Sequence, residues 1–498
     1  MSQTTTPSCC SLITATDGPR RQTLLRMIRM GAALAATTAL SGCITFSPDR
    51  GMDVVAGIAS QELQKDAVAI RTPDEALSTR ATVEQLLRRP LTVNTAVQIA
   101  LLNNRALQAA YNELGISEAI MVQQSLPPTP SFSLSRISGS VETEIDSQIV
   151  ANVLALATLS ARAEIAAERF RQAQLFAALE TLSVAAEARR NYYRAVAARE
   201  LADFLAQANS AAETAAKLAT RLVETGAMNK LDQARVQVFY ADLTTQLANT
   251  RQRAASERER LIRSLGLWGS DLDFKLPSAL AALPTRPQNR PAIEREAVRR
   301  RVDLQIARIE LEVLAKSYGL TQATRFINVL EAGYAGKITK DKETGARIRD
   351  RGFAVSFEVP IFDFGEARVR EAEQTYMQAV NRLAAKAVNI RSEARDAYRV
   401  YRSTYDIASH YQREVLPLRK IITDEIMLRY GAMQIDVFTL LNEARQRIIA
   451  TTAAIQAKQE FWLANTDLMV AVVGGGGAST AGEAPRAVAV AESGAGGH

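Results

Sequence analysis

Phe353, Val355, Phe357 and Val359 alternate with Ala354, Ser356 and Glu358, which is the period of a strand with one apolar and one polar face. Just upstream, Leu330, Ala332, Tyr334 and Ile338 alternate with Glu331, Gly333 and Lys337, and the charged stretch from Thr339 to Arg351 between the two reads as a water-facing loop. An earlier pair is weaker: Phe132 and Leu134 alternate with Ser131, Ser133 and Ser135, and a poorer strand follows from Ile145 to about Leu154. Each pair predicts a hairpin. Four strands are too few to close a channel-sized barrel, so the pattern leaves two readings: a small sheet capping a helical bundle, or one chain's share of a barrel built by several chains.

Elsewhere the chain is helical in composition. Ser140 to Thr225 is a run of 86 residues without Gly or Pro, and Glu366 to Tyr430 is broken only by Pro417. Uninterrupted helical composition of this length points to a coiled coil, a long bundle or a repeat rather than a compact core. One helix from Leu159 to Thr225 is roughly 100 Å long at about 1.5 Å per residue. Pro417 removes the hydrogen bond to residue 413 and predicts a kink.

The chain is also duplicated. Ala100-Leu101, Asn104-Arg105, Leu107-Gln108, Ala110 and Leu114 correspond, at a shift of 197, to Ala297-Val298, Arg301-Val302, Leu304-Gln305, Ala307 and Leu311. Gly226-Ala227-Met228 closes the first long run as Gly431-Ala432-Met433 closes the second. Each half reads as helix, strand pair, very long helix, Gly turn, shorter helix. The pieces fall at 92–125, 131–155, 159–225 and 231–265, and again at 291–325, 328–360, 366–430 and 434–471. A strand pair at the same place in each repeat puts all four strands at one end of an elongated body.

The N-terminal stretch adds a destination. Arg20, Arg21, Arg26 and Arg29 precede the apolar stretch Met30 to Leu40, the n-region and h-region of an export signal too short to span a membrane. Leu40-Ser41-Gly42-Cys43 follows, and resembles a bacterial lipobox in which Cys43 becomes the lipidated, palmitate-bearing first residue. Met27 would give a more usual signal length than Met1. With Cys9 and Cys10 removed, the exported chain has no partner for an internal disulfide.

Of the net charge of +7, +3 belongs to this leader (four Arg against Asp17); the remaining +4 is spread over both signs, with no basic cluster interleaved with aromatics, so a nucleic-acid partner is not expected. Enzymatic chemistry is not expected either. His410 and His498 lack Cys or His partners at metal-ligand spacing, there is no Gly-rich phosphate loop, and Met228, Met427 and Met433 near the turns read as packing residues. No cofactor or metal is implied.

From about Leu91 to Val473 the chain resembles the TolC family of outer-membrane efflux proteins. The resemblance rests on the Leu91-Thr92 to Leu107 opening, the strand-to-helix junction Val359-Pro360-Ile361-Phe362-Asp363-Phe364-Gly365, and the Tyr430-Gly431 turn followed by Asp436-Val437. At the junction Pro360 ends the strand ladder, Asp363 can cap the next helix, and Gly365 relieves the turn. The equivalent stretch of half one, Leu154 to Leu159, lacks the Pro and Gly.

The resemblance implies a fold that is mainly α with a small β part. Duplicated long-helix hairpins of a homotrimer form a hollow periplasmic α-barrel, and four strands per chain contribute to a shared twelve-stranded outer-membrane β-barrel. It implies an exit duct for small molecules in a Gram-negative outer membrane, in contact with lipid and working with a periplasmic adaptor and an inner-membrane pump. Alternatives are the duct of a type I protein secretion system and a lipid-anchored helical scaffold or adaptor without a pore. The expected organisation is a signal peptide 1–42, a lipid-anchored linker 43–90, repeats at 91–275 and 291–473 joined by a linker 276–290, and a disordered tail 474–498. Gly226, Ala227, Gly431 and Ala432 are the expected hairpin tips and adaptor contacts. Arg429, Tyr430 and Asp436 are the candidate gate residues, because symmetric rings of charged or bulky side chains can close a pore.

Overall fold

Two similar series of helices and strands follow one another along the chain in the computed structural model, which describes residues 46–475. The expected signal segment, Cys43, and the tail beyond Gly475 lie outside the described residues. From Pro48 onward the described chain belongs to one compact unit.

The stretch 43–90 departs from the expected linker. It holds α1 (Met52–Ile58), continued by a π-turn at Ala59–Leu63, and α2 (Pro73–Leu87). Thr72 and Glu75 form a reciprocal capping box with Pro73 at the first turn, the combination that starts a helix most firmly. Met52, Val55, Ala59, Ala67 and Val83 are buried in the main core. Their apolar side chains gain by leaving water, which a free linker forgoes.

The first repeat comprises α3 (Val93–Asn103), α4 (Arg105–Ser125), β1 (Ser131–Ser138), β2 (Glu142–Asn152), the short α5 (Val153–Ala157), α6 (Leu159–Glu224) and α7 (Lys230–Leu265). The second comprises α8 (Ile293–Arg300), α9 (Val302–Ala323), β3 (Val329–Asp341), β4 (Arg347–Glu358), α10 (Glu366–His410), α11 (Leu416–Gly431) and α12 (Val437–Val473). α6 has 66 residues, about 100 Å at 1.5 Å per residue, and the run from Glu366 to Gly431 matches it in length.

Both expected opening helices are split in two. The breaks fall at Asn104 and Arg301, positions related by the sequence shift of 197, with ψ of 116° and 117°. Asn104 turns the break into a cap: its side-chain oxygen accepts from the amides of Ala106 and Leu107 at 2.9 and 3.2 Å, and its Nδ2 donates to the Ser264 carbonyl at 3.2 Å. Arg301 makes no such cap and ties its break down with charge instead. It is buried, its Nε donates to Asp303 at 2.9 Å, and Nη1 pairs with Glu393 of α10.

Pro417 acts as its chemistry demands. Between α10 and α11 the chain passes through a π-turn, Tyr411–Val415, immediately before the proline. A Pro nitrogen cannot donate, so the helix absorbs the lost bond with one wide turn and continues. His410, at the edge of that turn, pairs with Glu414 at 3.2 Å.

The segment expected as a linker, 276–290, is irregular but pinned to the helices. Lys458 Nζ donates to the Leu280 carbonyl at 2.7 Å, Trp462 Nε1 to Ala281 at 3.1 Å, and Tyr405 OH to Pro284 and Thr285 at 3.1 Å each. The same tyrosine and tryptophan belong to an aromatic chain joining the repeats. Tyr193 of α6 stacks on Trp462 of α12, adjacent Phe461 meets Tyr401 and Tyr405 of α10, and Phe461 and Tyr401 are among the largest fully buried side chains.

The four strands form one antiparallel sheet in the order β1-β2-β3-β4. The β2–β3 ladder, from Glu142 opposite Asp341 to Asn152 opposite Glu331, joins the repeats. The charged stretch expected as a loop from Thr339 to Arg351 is mostly strand, since β3 reaches Asp341 and β4 begins at Arg347. Backbone pairing needs no apolar side chain where both faces are wet, so alternation in hydropathy ends before the ladder does.

Candidate functional site

The sheet registers its side chains into two unlike faces. Phe132, Ile149, Tyr334 and Phe353 lie directly opposite one another across all four strands, and the next rows add Ala151, Ala332 and Val355, then Leu330 and Phe357. Every apolar position read from alternation that lies within β1, β3 and β4 falls on this face, while Val359 lies one residue past the end of β4. The other face carries Ser131, Ser133, Gln148, Glu331, Ser356 and Glu358, with Ile137, Val150 and Ile348 among them.

No residue of either face is buried, although β3 touches the short α5. Phe353 is 89% exposed, Leu134 78% and Phe357 65%. A sheet capping a bundle would bury its apolar face, and this one does not. The edges are open as well, because β1 and β4 each pair on one side only.

At the base of the sheet the junction residues work together. Asp363 Oδ1 accepts from the Gly365 amide at 3.0 Å and Oδ2 from the Ala367 amide at 3.3 Å, capping α10, and the Phe364 amide donates to the Pro360 carbonyl at 2.8 Å. Gly365 has φ of +74°, and a Cβ there would collide with the carbonyl of Arg325 at the foot of β3. Arg325 in turn donates to the Phe364 carbonyl at 3.3 Å and to Glu366 at 3.2 Å, so the two feet of the second hairpin are locked together. The first repeat lacks these residues and uses Asn152, which caps α5 by accepting from the Ala155 amide at 2.7 Å. That places the end of β2 at Asn152, which the sequence left open. Phe362 projects from the junction almost free of contact, 98% exposed, and Phe364 is 57% exposed.

The hairpin tips close in the same way with different residues. α6 ends with Gly226 in the left-handed region (φ +75°), whose amide donates to Val223 while Ala227 donates to Leu222. This is a Schellman cap, for which glycine is the usual residue. At the second tip α11 runs on through Gly431, and the left-handed position falls on Met433 (φ +58°), with Met433 donating to Tyr430 and Gln434 to Arg429. Gly431 is thus the last residue of the helix and Ala432 its cap, where the repeated motif predicts a turn on Gly431. Met433 is 93% exposed.

The gate candidates separate. Arg429 donates to Glu425 of its own helix at 2.8 Å, with both side chains more than half exposed. Tyr430 is half-buried beside it. Asp436 is the N-cap of α12: its Oδ1 accepts from the Thr439 hydroxyl at 2.6 Å and from the Thr439 amide at 3.0 Å. Those two bonds, with the Arg235 charge a smaller contributor, hold its carboxyl below the ordinary value of 3.8.

Several tip residues went unread in the sequence. Arg235 of α7 lies over the Phe438 ring of α12 at 5.2 Å, and Arg445 of α12 lies over Phe239 of α7 at 5.5 Å, a reciprocal cation–π contact between the two hairpins. Beside it is a cavity of 230 Å³ lined by Leu231, Val238, Phe438 and Arg445. Within the second hairpin Arg419 pairs with buried Glu443 at 3.2 Å, and Thr423 reaches the same carboxylate at 3.4 Å. The only sequence trace of these contacts is Arg and Phe at helical spacing, which alone does not identify partners. Among the described residues no group of His, Cys, Asp and Glu could hold a metal ion, and no helix is long and apolar enough to cross a membrane.

The sequence matches no family model and no curated relative. Solved structures do match. The outer-membrane channel OprN superposes with a TM-score of 0.62 at 18% identity, over 87% of this chain and 99% of that one. The Campylobacter jejuni CmeC outer membrane channel gives 0.65 at 15%, over 77% and 86%. The chain has the TolC-like fold. The open-state Neisseria gonorrhoeae MtrE outer membrane channel is similar again, at 0.60 and 16% over 77% and 89%. At these identities the TolC-like likeness establishes the arrangement of helices and strands, mainly α with a small antiparallel sheet.

Proposed function

We propose that the chain is a passive outer-membrane exit duct of a tripartite efflux system, expelling small molecules delivered by a periplasmic adaptor and an inner-membrane pump. The observation that carries this reading is the sheet: an apolar band on one face, mostly polar and acidic residues on the other, no residue of either face buried, and both edges open. Unpaired edges and exposed Phe and Leu are costly in water, and closure of β4 of one copy onto β1 of the next removes the edges while lipid covers the apolar face. Four strands from each of three copies make a barrel of channel width.

In this reading α6 and the α10–α11 run cross the periplasm, and their tips form the closed end and the adaptor contact. Cys43 anchors the chain by its lipid. The chemistry of the duct is binding and steric control, with no bond made or broken. The test is whether protein purified from outer membranes is a heat-modifiable trimer that conducts ions across a planar bilayer; a monomer, or a trimer without conductance, overturns the reading.

Gating at the second tip follows. The exposed Arg429–Glu425 pair is worth little, so Arg429 is free to exchange it for a carboxylate of a neighbouring copy. Replacing Arg429 and Tyr430 together by Ala is expected to raise the single-channel conductance of the trimer without altering its assembly. Unchanged conductance in a verified trimer removes both residues from the gate.

A further inference from the structure

The sheet sorts its charges by face. Arg347, Arg349 and Arg351 alternate along β4, so all three project from the face that carries Phe353, Val355 and Phe357. The register adds Arg136, which shares a row with Ile145, Ile338 and Arg349, and Lys340, opposite Arg347. These five cations are exposed, and none has an ion-pair or hydrogen-bond partner among the described residues. No acid lies on that face within the strands; the sheet's carboxylates, among them Glu144, Asp146, Glu331, Asp350 and Glu358, fall on the other, where Lys337 is paired to Glu144 at 2.7 Å.

A merely solvated rim would mix both signs on each face, since mixing lowers the self-repulsion of neighbouring guanidinium groups. Unpaired like charges at alternate positions of an edge strand repel one another unless an external anion lies between them. The order along β4 says which anion. Phe357, Val355 and Phe353 come first and Arg351 one pleat later, about 7 Å along the strand. A molecule whose apolar chains cover the phenylalanines therefore has its polar end level with the arginines. Four of the five cations are Arg, whose planar fork matches the oxygens of a phosphate in paired hydrogen bonds.

We propose that this outward face, beyond the apolar band, is a binding surface for the phosphate groups of an anionic lipid in the outer leaflet. The inference rests on the channel reading, which makes this the lipid side of the barrel. The cations form a collar repeated by each copy, holding the hairpin ends at the membrane surface while acyl chains cover the aromatic rows below.

The experiment uses the full-length trimer in neutral detergent, supplied with diphosphorylated lipid A or with the same lipid stripped of its phosphates. Retained lipid is read by native mass spectrometry and the trimer's heat-dissociation temperature is followed. The phosphorylated form is expected to be retained and to raise that temperature, and the dephosphorylated form to do neither. The combined R136Q, R349Q and R351Q variant is expected to bind the phosphorylated form at least about tenfold more weakly, since each Arg near an anionic lipid surface contributes on the order of 1 kcal/mol.

Equal retention of both lipids by the wild-type trimer overturns the proposal, and this comparison needs no variant to fold. So does an equal rise in dissociation temperature with inorganic phosphate alone, which makes the collar a site for free anions. Conductance recorded on the same sample separates the two readings: a conducting trimer indifferent to lipid phosphate refutes the collar and leaves the duct standing, whereas a protein that neither trimerises nor conducts refutes both.

Discussion

Gly365 and Met433 stand in the left-handed region for opposite reasons. Gly365 needs it, because the backbone of Arg325 occupies the space a side chain would fill. Gly365→Ala is expected to cost about 2 kcal/mol from backbone strain alone, with the collision added, and to lower the heat-dissociation temperature of the trimer. Met433 bears the same strain with a full side chain in the open, offset by the cap bonds it closes, Met433 to Tyr430 and Gln434 to Arg429. Asp436 offers a test by pH. Its carboxyl is held below 3.8 by the Thr439 hydroxyl and amide. The cap is therefore at full strength above that value and is lost as pH falls through the lowered one. Asp436→Ala should weaken the start of α12 at neutral pH. Protection of the amides of residues 437–440 against hydrogen exchange, taken relative to the intrinsic rate at each pH, is expected to fall in the variant, and in the wild type only on strong acidification.

At the scale of elements, the two repeats solve the same problems with different chemistry. The break between opening helices is held by an amide in one repeat and by a buried ion pair in the other, Asn104 against Arg301. Removing one member of a buried pair leaves the other charged and unsatisfied. Asp303→Ala should thus destabilise the second repeat by about 3 kcal/mol or more, read as a lower unfolding midpoint; Asn104→Ala should cost about 1 kcal/mol, as loss of a cap does. Equal losses would mean that Glu393 alone satisfies Arg301. The duplicated positions 104 and 301 were visible in the alignment of the halves. That both are breaks was not, because a helix interrupted by one extended residue keeps its composition and most of its period.

For the whole molecule, the decisive test is the orientation of the sheet. Phe357→Arg should cost roughly 2 to 4 kcal/mol if the residue sits near the bilayer midplane, and should lower trimer yield in the membrane. Single cysteines at 355 and 357 should react with a lipid-soluble reagent and one at 356 with a water-soluble one; the reverse pattern turns the barrel inside out. The long helices, the duplication, the strand pairs and the polarity of each strand were legible in the sequence, because each is a local period or a local repeat. Glycine and proline punctuation located the junction at Pro360, Asp363 and Gly365 for the same reason. What only the tertiary structure decided is where distant segments meet. Residues 52–87 dock as part of the core, strands persist through a charged stretch because a ladder bonds backbone to backbone, and Arg235, Arg445 and Glu443 find partners on other helices. The sorting of cations and carboxylates to opposite faces likewise depends on the register between strands from the two repeats, which hydrogen bonds across the β2–β3 ladder set and no single strand's pattern encodes.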